Sequence, residues 1–146
     1  MKDRNSVEHN ARAFIAACGG TPEGIAKLAK EVLPSYDLIA EKLKLPLAEF
    51  EKAFERESAR QAGNPVFKVF FPAIVKCRQS QARMEVYQAL LSAAFAVQLQ
   101  GREALANHPD PVVGGPFEYV PIQGGYELRS KFDSGRVAII VGQGRK

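Results

Sequence analysis

The chain has 146 residues, 20 basic against 16 acidic, a formal net charge of +4 and 46% hydrophobic residues. That length accommodates one domain, or one domain with a helical appendage, with enough apolar residues for a packed core. No apolar run reaches the roughly 18 residues of a membrane-spanning helix, and the opening MKDRNSVEHN lacks the charged start and apolar block of a signal peptide, so the chain as given reads as soluble, cytoplasmic or of the cell envelope, or as a piece of a longer protein.

In chain order, Ser6 is placed to cap a first helix running to about Ala17, with Val7, Ala11, Phe14, Ile15 and Cys18 on one side. Gly19-Gly20 ends it. Thr21-Pro22-Glu23 starts a second helix, combining a capping hydroxyl, a proline at the first helical position and an early acid. Its stripe is Ile25, Leu28, Ala29, Val32 and Leu33, and Pro34 stops it. Ser35 opens a short third helix carrying Leu38, Ile39 and Leu43. Pro46 marks a fourth, with Leu47, Phe50, Ala53 and Phe54 inward and Glu49, Glu51, Lys52, Glu55, Arg56, Glu57 and Arg60 outward. Gly63-Asn64-Pro65 closes it.

The run Val66–Phe71, VFKVFF, has the β-branched and aromatic content of a buried strand. With no partner strand nearby, it reads instead as the first turns of a long helix that Pro72 would kink. From Ala73 to Gln100 the pattern is helical, with a wide stripe of Ile74, Cys77, Met84, Tyr87, Leu90, Leu91, Ala94, Phe95 and Val97. Gly101 caps it, and residues 103–107 offer one more helical turn. His108-Pro109-Asp110-Pro111 cannot be helical, because each proline removes a donor and restricts its predecessor. Turns are expected at Asp110-Pro111, Gly114-Gly115 and Gly124-Gly125. Strands are expected over 117–121, 126–132 and 137–141, the middle one alternating Tyr126, Leu128, Ser130, Phe132 against Glu127, Arg129, Lys131.

Charge is unevenly spread. Residues 1–63 are neutral overall and residues 64–146 carry the whole +4. Lys68, Lys76, Arg78 and Arg83 fall between Val66 and Met84 with no acid among them. Such a stretch is either a footprint for nucleic acid or another polyanion, or a solvated helix face, and four charges over five turns is sparse for tracking phosphates. Cys18 and Cys77 have neither CxxC spacing nor a histidine pair, which argues against zinc. They read as two small buried apolar residues, with one disulfide as the alternative.

A catalytic set is hard to assemble. His108 with Asp110 would orient a general base, joined by Glu118 or Asp133, but the nucleophile would have to be Ser130 or Ser134, neither on a strand-to-helix elbow. The competing reading makes Asp110 the brace of a proline-bound turn. The glycine pairs lack the lysine and following helix of a phosphate loop. Asp110, Glu118 and Asp133 match no calcium-loop spacing. Tyr119, Tyr126, Arg129 and Lys131 interleave as a base-stacking platform would, but Tyr126 shares the face expected to be buried. No catalytic, cofactor-binding or metal-ligating residue is assigned.

The order of motifs from Asn64-Pro65 through the long helix, then Asp110-Pro111, GGPFEY and GGYELRS, resembles the C-terminal portion of a family of uncharacterised bacterial proteins. It is also similar to the soluble domain of type II secretion pseudopilins. The matching positions are Asp110, Pro111, Gly115, Pro116, Tyr119, Gly125, Leu128 and Ser130. The resemblance implies a long helix packed on a small antiparallel sheet and assembly by helix stacking. The chain departs from it in lacking an apolar prepilin-type opening, in carrying four helices ahead of the long one and in ending VGQGRK without a calcium-binding acidic tail.

The expectation is therefore an α+β protein: a helical subdomain over 1–63, then a pilin-like part over 64–146 in which a three-stranded antiparallel meander packs on one long helix. Leu90, Leu91, Ala94, Phe95 and Val97 should meet Tyr119, Tyr126, Leu128, Ile139 and Val141. The function expected is a non-enzymatic structural or protein-interaction module, through a protein partner or self-association. The alternatives are polyanion binding through 66–84 and a hydrolase around His108 and Asp110.

Overall fold

The computed structural model describes residues 4–142. The fold is α+β. Four helices, α1 (Arg4–Ala17), α2 (Pro22–Lys42), α3 (Leu47–Arg60) and α4 (Pro65–Gln100), precede a sheet of β1 (Glu118–Ile122), β2 (Gly125–Arg129) and β3 (Ala138–Gly142). Two compact units, Met1–Arg78 and Gln79–Lys146, part inside α4, whereas the turn residues placed the division at 63.

In the first unit, Thr21 caps α2, its Oγ1 accepting the Gly24 N–H at 3.0 Å, with Pro22 at the first helical position. Pro34 does not stop this helix: the second and third predicted helices are one, so three helices precede α4. Pro34 lacks an N–H for the Lys30 carbonyl, but both residues are exposed, where water can serve that oxygen. Val32, Ser35 and Ile39, on either side of the proline, are all buried on one helical face, and that packing overrides the local break. The first helix starts at Arg4, ahead of the expected cap at Ser6. Of its stripe, Cys18 is buried, Phe14 is half-buried and Ile15 is exposed, while the side chain of Val7 lies outside the described residues.

The segment Val66–Phe71 is helix, as its lack of a partner strand implies. Val66, Phe67 and Phe71 are buried while Lys68, Val69 and Phe70 are exposed, a helical spacing and not the alternation of a strand. Phe67 stacks on Phe71 (4.1 Å between centroids) and on Phe54 of α3 (6.0 Å), and Tyr36 of α2 meets Phe71 edge-on (4.8 Å). Asn64 starts α4: its Oδ1 accepts the N–H groups of Val66 and Phe67, and its Nδ2 donates to the Leu28 carbonyl at 3.0 Å. The helix continues through Pro72.

Glu57, expected outward on α3, is buried. The Ser35 hydroxyl and the Arg60 guanidinium both donate to its Oε1, and Gln61 donates to the Ser35 oxygen at 2.9 Å. Burial pushes the Glu57 carboxyl up, but the hydrogen bonds from Arg60, Ser35 and Gln61, with the Arg60 charge, hold it below the ordinary 4.5.

In the second unit the sheet runs β1-β2-β3, all antiparallel. The hairpin turn is Gln123-Gly124, Gly124 taking φ +81°, and a Cβ on Gly125 would lie 2.0 Å from the Val141 carbonyl oxygen, so that position tolerates only glycine. Leu90, Ala93, Ala94 and Val97 of α4 share one core with Phe117, Tyr126 and Leu128. The Tyr126 hydroxyl donates to the Ala94 carbonyl at 3.0 Å, fixing strand to helix. Tyr119, Ile139 and Val141 pack half-buried against the same core. Leu91 and Phe95, expected in it, are exposed. The inner line is Val86, Leu90, Ala93 and Val97, a spacing of four, three and four that leaves their neighbours on the solvent side. Among the described residues, no helix is long and apolar enough to cross a membrane.

Candidate functional site

The proline loop is a braced turn. Asp110 is buried, its Oδ1 accepts the N–H groups of Val112 (2.9 Å) and Val113 (3.0 Å), and the Ser130 hydroxyl donates to its Oδ2. The Asp110 N–H donates to the Gly115 carbonyl at 2.8 Å, and Gly114 returns a bond to the Asp110 carbonyl at 2.9 Å. Pro111 begins the turn, and Pro109 bridges Pro116 across it. Gly114 and Gly115 both take positive φ, which an L side chain resists. The Asp110 carboxylate is thus engaged by backbone and by Ser130. The Ser130 oxygen also accepts the Phe132 N–H at 2.9 Å in a buried position. This is the bonding of a structural rivet between loop and sheet, and its Ser130 hydroxyl is buried. The side chain of Ser134 lies outside the described residues.

The four basic residues differ in exposure and in partners. Lys68 and Lys76 are exposed. Arg78 is buried and donates to the Leu45 carbonyl at 3.2 Å, anchoring α4 within the first unit. Arg83 pairs with Asp133 at 2.8 Å. The Arg83 carboxylate partner belongs to the trio Asp110, Glu118 and Asp133. Among the described residues, no group of three or more His, Cys, Asp or Glu side chains is placed to hold a metal ion. Cys18 and Cys77 are both free thiols, Cys18 buried and Cys77 exposed, which corrects the expectation that both are buried.

Tyr119 stacks on Tyr126 at 5.0 Å, and Arg102 lies over the Tyr119 ring at 5.1 Å. This stack faces a groove that Lys131 shares with Glu103 and Glu118. Two acids beside the bases make it a poor platform for phosphate. Arg129 is turned to Glu127 at 2.7 Å, which lowers the Glu127 carboxyl and raises the Arg129 guanidinium.

The surface that the chemistry singles out is apolar. Leu91, Phe95 and Leu99 follow one another at every fourth residue on the solvent side of α4, 52%, 69% and 82% exposed. Leu91 and Phe95 line a groove of about 550 Å³ with Ile139, Ile140 and Val141 of β3, and Ile140 is 72% exposed. Single exposed apolar side chains are ordinary, but a contiguous set beside a free strand edge marks an interaction surface or an aggregation liability. Leu99 and Ile140 did not stand out in the sequence. Their signal was present: α4 holds more large apolar residues than one inner line can bury, and AIIVG on β3 does not alternate with polar residues.

Compared with known proteins, the chain matches no family model, no curated protein and no solved structure.

Proposed function

We propose that this chain is a non-enzymatic protein-interaction or assembly module, and that it works through the α4–β3 face of its second unit. The observation that supports it is the pair Leu91 and Phe95, exposed in a groove beside the edge strand β3, with Leu99 exposed one turn further along α4. Leaving such side chains exposed forgoes roughly 1.5–3 kcal/mol each relative to burial, a stabilisation that a partner would supply. A long helix on a three-stranded antiparallel meander is also the arrangement implied by the pseudopilin resemblance, which supports an assembly role without fixing a fibre. Polyanion binding draws little support from two exposed lysines, and hydrolysis draws little from an Asp110 already satisfied by its own turn.

Light scattering over a wide concentration range tests the reading. The wild-type chain should gain mean mass as concentration rises, and the double variant Phe95→Gln, Leu99→Gln should gain markedly less while keeping its helical circular dichroism. A wild-type chain that stays monomeric throughout, indistinguishable from the variant, would overturn it.

A further inference from the structure

The two edges of the sheet differ chemically. The Ser130 N–H donates to the Val137 carbonyl at 2.9 Å, and in antiparallel ladders hydrogen-bonded and non-bonded pairs alternate. With Leu128 opposite Ile139 and Tyr126 opposite Val141, Ile139 and Val141 turn their backbone groups toward β2. Ala138, Ile140 and Gly142 turn theirs outward. By the same alternation, Glu118, Val120 and Ile122 bond inward on the other side of β2, and Tyr119 and Pro121 face out. Proline has no N–H, so the β1 edge lacks a donor at that position. The β3 edge, Ala-Ile-Ile-Val-Gly, has neither a proline nor a charge to deter pairing.

We propose that β3 pairs antiparallel with β3 of a second copy of this chain about a two-fold axis at Ile140, with the Leu91–Phe95 stripe closing the same interface. The proposal rests on the reading that the α4–β3 face is an interaction surface. The edge is its own complement: outward groups at residues 138, 140 and 142 are symmetric about Ile140, so Ala138 meets Gly142 of the other copy and Ile140 meets Ile140. Each such pair exchanges backbone hydrogen bonds. The strand itself carries no charge, and Glu127 and Arg129 of the neighbouring β2 pair with each other. A two-fold axis normal to the sheet leaves both copies of α4 on one face. Leu91 and Phe95, which share a groove with β3, then face their counterparts across the axis. Such an isologous interface closes on itself as a dimer and does not propagate. The pairing uses one five-residue strand and a short helical stripe, so the dimer is weak and reversible.

Disulfide trapping in the full-length chain captures a weak dimer. In a Cys77→Ser background, Ile140→Cys should cross-link under mild oxidation, because a Cα separation of about 5.5 Å in a hydrogen-bonded pair lies within disulfide reach. Ile122→Cys, on the proline-bearing edge, should not. Ile140→Lys should weaken dimerisation at least tenfold in sedimentation equilibrium with circular dichroism unchanged. Absence of cross-linking at residue 140, together with wild-type association that Ile140→Lys spares but Phe95→Gln weakens, would overturn the strand pairing and leave the interaction reading standing. A chain that neither cross-links nor associates at any concentration would overturn both.

Discussion

The two units solve the same problem, holding helices in register, with different chemistry. The first stacks rings, Tyr36, Phe54, Phe67 and Phe71, and buries the Glu57 carboxylate with Ser35, held from the rim by Arg60 and Gln61. The second packs mostly aliphatic residues of α4 against Phe117, Tyr126 and Leu128 and, among the described residues, buries the polar pair Asp110 and Ser130. Aromatic stacking tolerates breaks in local pattern, because a few large rings fix the geometry wherever the backbone allows them to meet. A sheet does not, since a slip of one residue would expose every inward side chain. Both units leave large apolar side chains exposed, Leu33, Val69 and Phe70 in the first and Leu91, Phe95 and Ile140 in the second, but in the second unit Leu91, Phe95 and Ile140 share a groove at a strand edge, where strand pairing can add to apolar contact.

Core truncation gives the largest effects and tests whether the units are separable. Phe71→Ala should cost about 3–5 kcal/mol and Leu128→Ala about 2–5 kcal/mol, both side chains being fully buried. Followed by residue-resolved hydrogen exchange, each should lower protection mainly in its own unit. Equal loss across both units for either variant would show one cooperative body and dissolve the comparison.

The buried hydroxyls come next. Ser35→Ala and Ser130→Ala each remove a donor to a buried carboxylate, costing about 1–3 kcal/mol in urea unfolding. The Ser35 change should also alter the acid limb. The Glu57 carboxyl is held below its ordinary 4.5 in the folded state. Its stabilisation is therefore fully present above that value and lost as pH falls through the lower folded value. Without the Ser35 donor the folded value moves back toward 4.5, so the stability difference between wild type and Ser35→Ala should shrink on acidification through that window. A difference that grows instead would mean that Glu57 is not held ionised by this cluster.

These contrasts also mark how much was legible in the sequence. The α+β class, the helical state of VFKVFF, the hairpin at Gly124 and the inward set Tyr126 and Leu128 followed from period, turn residues and the absence of a nearby partner strand. The continuity of α2 through Pro34 was not legible, because it depends on burial of Val32, Ser35 and Ile39, Ser35 against Glu57 of α3, which local propensity does not encode. Glu57 looked like any solvent-facing acid, since its partner Ser35 lies 22 positions away. Arg78 looked like one of four surface cations until the Leu45 carbonyl beside it was known. The apolar face is half visible in the sequence: the helical period marks Leu91 and Phe95 as part of an apolar stripe, but it does not show that the stripe is wider than the core can bury.

Pro34 offers an effect of opposite sign. Replacing an exposed helix-interior proline by alanine restores the N–H that the Lys30 carbonyl lacks, and relieves most of a penalty of about 3 kcal/mol. The unfolded chain regains freedom worth up to about 1 kcal/mol. Pro34→Ala should therefore stabilise the first unit by about 1–2 kcal/mol in thermal unfolding. A loss would mean that the proline ring is itself a packing element, and that the first unit depends on shape at this point more than its rings suggest.

The smallest effect is expected at the exposed lysines. Lys68 and Lys76 lie on solvent-facing positions of α4, and changing both to Gln should move stability by no more than about 0.5 kcal/mol. The same pair separates the interaction reading from its charge-based rival. Phosphate contacts release counterions, so binding through them must fall steeply as salt rises, whereas strand pairing and apolar burial should hold or strengthen. If Lys68→Gln with Lys76→Gln leaves self-association intact and salt does not weaken it, the working surface is the uncharged edge of β3. If the double variant abolishes a salt-sensitive retention on duplex DNA, the first unit carries a binding surface of its own, and the division of labour between the two units is reversed.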